Sequence, residues 1–318
     1  MGRLTLAVAL SAMLTVATGS LRAAPPSPSD LPTFSADVDL VTVSAVVRDP
    51  RGRPVTDLKR TDFTVFDRGR LRYIQEFRAD VAPAGVAVLV DTSGSMELAG
   101  KIGRARTAAA DLMTDLAQPG DEAAIYAFDT ELREVQPFAA PHAIGAIFDG
   151  FRPYGATSLY DAIAETARRV AARPDPHRAV IVFTDGLDNA SRLTAAEVSG
   201  LASAIDVPVY VVAVVSPLDR GAMRGQKGAD INGLYATAAD ALSDLARWTG
   251  GYLAVVSSPE ESQAAMARIA GELHHQYLLA FEPSEPPGWH PLVVQTANSR
   301  LIVHARGGYM AGPARPAR

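Results

Sequence analysis

Five short, continuously apolar runs recur along the middle of the chain, at 86–90, 123–128, 179–183, 207–215 and 252–256. Runs of this kind are expected of parallel strands buried on both faces. Between them the apolar positions change to helical spacing. In 102–116, Ala105, Ala109, Leu112 and Leu116 share one face, and similar patterns occupy 159–171, 195–205, 239–248 and 260–274. Strands alternating with helices predict an α/β domain over 85–275, with a doubly wound, mostly parallel sheet covered by helices on both faces.

The pattern differs on either side of that domain. Residues 38–47, VDLVTVSAVV, are dense in β-branched side chains and end at the turn composition Asp49-Pro50-Arg51-Gly52. Strands at 62–66 and 71–77 then flank Asp67-Arg68-Gly69-Arg70 and read as an antiparallel unit. Beyond the α/β domain, strands are predicted at 277–281, 292–296 and 301–305, with Ala297-Asn298-Ser299-Arg300 as the turn between the last two. Neither set can close a core alone, so segments 37–82 and 276–310 are expected to pack together as one small antiparallel β-domain. No internal repeat is present.

Residues 1–24 read as a secretory signal peptide, with Arg3 as the positive start, an apolar stretch from Leu4 to about Val16, and small residues up to Ala23 and Ala24. The apolar stretch is shorter than the roughly 18 residues of a membrane span. Residues 25–36, Pro- and Ser-rich at first, suit a linker. The expectation is an exported protein, periplasmic or extracellular, with no further transmembrane segment. Cleavage after Ala23 would remove Arg3 and Arg22 and change the formal charge from −5 to −7. That acidity argues against nucleic acid or an anionic membrane as partner. With 48% hydrophobic residues the 318-residue chain can bury an ordinary core, and with no cysteine it has no disulfide, thiolate site or cysteine nucleophile.

In an open α/β sheet, ligands bind beyond the carboxyl ends of the strands. After 86–90 comes Asp91-Thr92-Ser93-Gly94-Ser95, after 179–183 comes Thr184-Asp185-Gly186, and Gly155-Ala156-Thr157-Ser158 precedes the helix at Leu159. These places converge if the two strands are neighbours. Two carboxylates and three hydroxyls form an all-oxygen set suited to Mg2+, or to Mn2+ or Ca2+, rather than to zinc. Hydroxyls and water would fill most of about six positions, and a carboxylate from another molecule could replace a weakly held water.

These residues resemble the metal-ion-dependent adhesion site of von Willebrand factor type A domains, whose motif of Asp-x-Ser-x-Ser, a distant Thr and a distant Asp is matched by Asp91, Ser93, Ser95, Thr157 and Asp185. The resemblance implies that Ser93, Ser95 and at times Thr157 bind the metal directly, with the Asp residues acting directly or through water. Asp62-Phe63-Thr64-Val65-Phe66-Asp67-Arg68-Gly69 and Tyr277-Leu278-Leu279-Ala280-Phe281 further resemble the bacterial exported "VWFA-related" group. The implied function is a binding module, not an enzyme, that engages a Glu or Asp side chain of a protein partner through the metal.

Each motif also has a plainer reading. Asp-x-Ser-x-Ser is common in loops, Thr157 could cap the next helix, and Asp185-Gly186 could be a turn. Asp188, Asn189 and Ser191 could touch the ligand but are rather expected to cap loops, Asp129 to end a strand, and Asp161 to sit in a helix first turn. The His274-His275 pair diverges on a helix, Gly221–Gly233 reads as a surface loop, and Trp248 and Trp289 read as packing residues. Two other functions compete. A metal-dependent, phosphatase-like hydrolase would want an acid two residues after Asp91, where Ser93 stands, and a regulatory subunit of an ATPase-driven complex sits poorly with an export signal.

Overall fold

The computed structural model describes residues 40–79, 81–141, 152–174, 177–217, 219–220 and 234–312. The expected signal peptide, the linker and the 221–233 loop lie outside them. Among the described residues, no helix is long and apolar enough to cross a membrane.

The central sheet has six strands. They are β5 (Ala84–Asp91), β6 (Glu122–Phe128), β7 (Leu132–Ala139), β8 (His177–Thr184), β9 (Val209–Val214) and β10 (Leu253–Val256), in spatial order β10-β9-β8-β5-β6-β7. All pairings are parallel except β6 with β7. Every residue of β5 is buried, as its unbroken apolar run predicts. Helices α1 (Lys101–Asp115) and α5 (Pro259–His274) bury one face of the sheet; α2 (Leu159–Ala171), α3 (Ala195–Ala204) and α4 (Leu234–Thr249) bury the other. Chain direction across the sheet reverses at β5 and β8, because β5 leads to β6 on one side and β8 to β9 on the other. Their carboxyl ends therefore flank a crevice, the usual ligand position in such sheets.

The terminal strands do pair with each other. The strands β1 (Val41–Arg48), β4 (Ile74–Arg78), β11 (Tyr277–Phe281) and β13 (Ile302–Ala305) form one sheet in the order β13-β1-β11-β4. A second, β14-β12-β2-β3, contains β2 (Phe63–Asp67), β3 (Arg70–Arg72), β12 (Gly288–Thr296) and β14 (Gly308–Ala311). Val43, Val47, Val65, Tyr277, Leu279 and Phe281 belong to the core that both sheets share. The expected strand over 71–77 is corrected here, since it breaks at Tyr73. Its first part pairs with β2 and its second with β11, in different sheets. Strands β7 and β14 were not anticipated from the sequence.

Two buried joints tie the β-sandwich to the α/β part. Arg48 of β1 pairs with Glu272 of α5, and its guanidinium lies over the Tyr252 ring, 4.4 Å from the centroid. Burial pushes the Glu272 carboxyl up to about 7, although the Arg48 charge acts against that shift. Arg306, next to β13, donates to the Ser203 carbonyl at 2.8 Å and to the Thr42 carbonyl. Trp248 also packs here, and a Cβ on Gly307 would come within 2.0 Å of its ring. Both Trp248 and Trp289 nevertheless keep more than a third of their surface exposed.

Candidate metal centre

Parallel pairing of β5 with β8, in the register Val90 opposite Phe183, sets Asp91 beside Thr184 and Asp185 just beyond. The Thr184 hydroxyl donates to Asp91 Oδ2 at 2.6 Å and accepts from the Gly186 amide at 3.0 Å. Asp91 Oδ1 accepts from the Ser93 amide at 2.9 Å, which folds the loop back over the strand end. That fold brings the Ser93 and Ser95 hydroxyl oxygens to 3.2 Å from each other.

Backbone contacts carry the remaining loops to this point. The Gly94 amide donates to the Gly155 carbonyl at 3.0 Å, and the Tyr154 amide to the Thr92 carbonyl at 3.0 Å. A Cβ on Gly94 would lie 3.3 Å from the Gly155 oxygen, so the close approach of the two loops favours glycine there. Thr157 is held from the other side. Its amide donates to Asn189 Oδ1 at 2.8 Å, and its carbonyl accepts from the Asn189 and Ala190 amides at 3.1 and 3.0 Å. The loops bearing Asp91, Ser93 and Ser95, then Thr157, then Asp185, are thus joined by direct hydrogen bonds. Asp91, Ser93, Thr157 and Asp185 are buried, and Ser95 is half-buried.

Thr157 does not cap α2. The cap position is Ser158, whose own side chain makes no capping bond. The free amides of the first turn are instead satisfied across space by the loop after Asp185: Asp188 Oδ1 accepts from Leu159, and the Ser191 hydroxyl accepts from Tyr160 and Asp161. Asp161 returns the contact by accepting from the Arg192 and Leu193 amides. Capping therefore accounts for Asp188 and Ser191, as expected, but of a distant helix. Asp129 pairs with Arg133 at 2.6 Å. His274 contacts Asp121 at 2.8 Å, and His275 contacts the Gly271 carbonyl.

Electrostatically the centre carries an excess of negative charge. Burial pushes the Asp91 carboxyl up to about 6; bonds from Thr184 and Ser93 act against this, and the nearby Asp185 charge adds to it. Asp185 Oδ2 pairs with the Lys101 ammonium at 2.6 Å, and both side chains are buried. Two buried carboxylates thus face one buried ammonium. Among the described residues no group of three or more His, Cys, Asp or Glu could hold a metal. The donors here are of another kind: two carboxylates with the Ser93, Ser95 and Thr157 hydroxyls form an oxygen set that fits a hard divalent cation.

Sequence reasoning overlooked Lys101. A cation at the first position of a helix opposes the helix dipole, and that oddity was the available signal. Around the centre, Tyr154 and Leu98 are exposed apolar side chains, at 84% and 65%.

The profile of the von Willebrand factor type A domain matches residues 86–187, the interval that begins on β5 and ends just past Asp185. A comparison with curated protein sequences gave no match. Solved structures similar to the chain include the BatB protein of Bacteroides thetaiotaomicron, at 17% identity over 60% of this chain and 98% of that one, with a TM-score of 0.45. Another is the PilB minor pilin of Streptococcus sanguinis, at 16% identity over 64% of this chain and 63% of that one, with a TM-score of 0.45. A von Willebrand factor type A protein of Catenulispora acidiphila is 13% identical over 87% of this chain and 74% of that one, with a TM-score of 0.46. Residues 86–187, which hold the Asp91, Thr157 and Asp185 loops, thus match the von Willebrand factor type A domain.

Proposed function

We propose that the protein is an exported binding module whose Asp91, Ser93, Ser95, Thr157 and Asp185 hold a divalent cation, Mg2+ or else Mn2+ or Ca2+, for engaging an acidic side chain of a protein partner. One observation carries the reading. Two carboxylates, Asp91 and Asp185, are fully buried within electrostatic reach of each other, and among the described residues the Lys101 ammonium is the buried counter-charge paired with them. An unbalanced buried carboxylate is costly, and a cation offsets that cost.

The chain's own residues divide the work. Thr184 and the Ser93 amide orient the Asp91 carboxylate, the Asp91 turn sets the Ser93 and Ser95 hydroxyls side by side, and the Asn189 and Ala190 contacts fix Thr157. A bound cation would supply a Lewis-acidic position open to a carboxylate oxygen from outside. Tyr154 and Leu98, exposed on the adjoining loops, offer apolar contact around that carboxylate. Export rests on the N-terminal signal pattern.

The test is thermal unfolding of the protein in chelator and across a titration of Mg2+ or Mn2+. A ligand held only by the folded state stabilises by about 2.7 kcal/mol at a hundredfold excess over its dissociation constant. The expected rise is several degrees for a domain of this size. It should vanish in Asp185→Ala. No rise at millimolar cation, or a rise equal in Asp185→Ala, would overturn the reading.

A further inference from the structure

Lys101 stands where local forces give no reason for a lysine. It is the first residue of α1, preceded by Ala99 and Gly100 in left-handed conformation, and its side chain is only 4% exposed. A positive charge at a helix N-terminus is disfavoured by the dipole, and burial of an ammonium costs more. The compensating contact is the 2.6 Å pair with Asp185 Oδ2. Tyr235 of α4 feels the Lys101 ammonium together with the Asp185 and Asp219 carboxylates. The rim charges Arg133 and Asp129 are paired with each other. Among the described residues, the fully buried charges of the centre are therefore Asp91, Asp185 and Lys101.

Charge counting then gives Lys101 a specific effect. The two carboxylates and the ammonium sum to −1. A divalent ion added to them leaves +1, and a carboxylate from outside brings the set to neutrality. Without the ammonium the ion alone reaches neutrality, and the incoming carboxylate would leave a buried negative charge.

We infer that Lys101 is a built-in counter-charge that weakens the divalent ion bound alone and strengthens the ion and an external carboxylate bound together, so that the two ligands bind cooperatively. This deepens the cation reading of the same site and rests on it. The coupling is reciprocal: the factor by which a carboxylate tightens the ion is the factor by which the ion tightens the carboxylate.

The experiment titrates Mn2+ into the protein, reading free Mn2+ by its electron paramagnetic resonance signal, with and without acetate at constant ionic strength. Wild-type protein should bind Mn2+ more tightly when acetate is present. Lys101→Met should bind Mn2+ alone about tenfold or more tighter than wild type, since the removed charge lies in a poorly screened site, and should lose the acetate effect. Lys101→Gln keeps a hydrogen-bond donor toward Asp185 without the charge and should behave as Lys101→Met does, which covers the case in which the apolar variant folds poorly. Mn2+ binding by the variants no tighter than wild type would overturn the inference and leave the cation site standing. Absence of Mn2+ binding by wild type, with or without acetate, would overturn the cation site and the inference with it.

Discussion

Asp91 is the residue at which the fold opposes its own chemistry. The strand end that positions its carboxylate also buries it, and burial raises its protonation point to about 6 against an ordinary carboxylate value near 3.8. A group whose folded value is raised stabilises the fold when protonated and loses that contribution as pH climbs through the folded value. In chelator, Asp91 should therefore make the protein gain stability as pH falls from about 7 toward about 4, a gain that denaturant titration should find reduced in Asp91→Asn. Saturating cation should suppress the gain as well, because it removes the penalty on the ionised form. Most of this site was legible in the residues. Asp91, Ser93 and Ser95 are close in sequence, and the Asp185 loop follows a recognisable buried strand. The Lys101–Asp185 pair spans 84 positions and exists only through packing, so the lysine at the helix start hinted at a partner without saying which.

Among the elements, legibility followed burial. Helix α2 and strand β11 fall on the expected residues, because each shows a clean apolar pattern with a definite stop. Strand β7 escaped notice because this strand at the end of the sheet carries Arg133, Glu134, Gln136 and Pro137, a sequence that reads as loop. Helix α2 also shows how one element depends on another's loop, since Asp188 and Ser191 satisfy its first amides across a separation of about 30 residues. Asp188→Ala should cost about 0.5–2 kcal/mol in denaturant unfolding, the usual worth of a helix cap. It should also weaken cation binding, because the loop it anchors carries the Asn189 contacts to Thr157. Full stability with intact cation affinity would show that the loop is held by other means.

Over the described residues the molecule is an α/β domain whose two flanks close on each other as a β-sandwich. One of the two joints between the parts is the buried Arg48–Glu272 pair. Arg48→Ala would leave the Glu272 carboxylate to Arg268, 3.4 Å away, and should destabilise the protein in denaturant unfolding by less than the about 3–5 kcal/mol of a wholly unpaired buried charge. A joint replacement of both residues by apolar side chains of similar volume should cost much less. The pairing of the flanks also sets a timetable for synthesis. The strand partner of Val41 is Phe281, so β1 leaves the ribosome long before its neighbouring strands β11 and β13 exist. All residues of the α/β domain are made in between, and that domain can bury its own apolar faces first. Throughout that interval Val43, Ala45 and Val47, later part of the sandwich core, belong to a strand without partners. An unpaired apolar strand invites association with other chains. A chain interrupted before β11 would keep its Asp91, Thr157 and Asp185 loops and leave β1 open to such association.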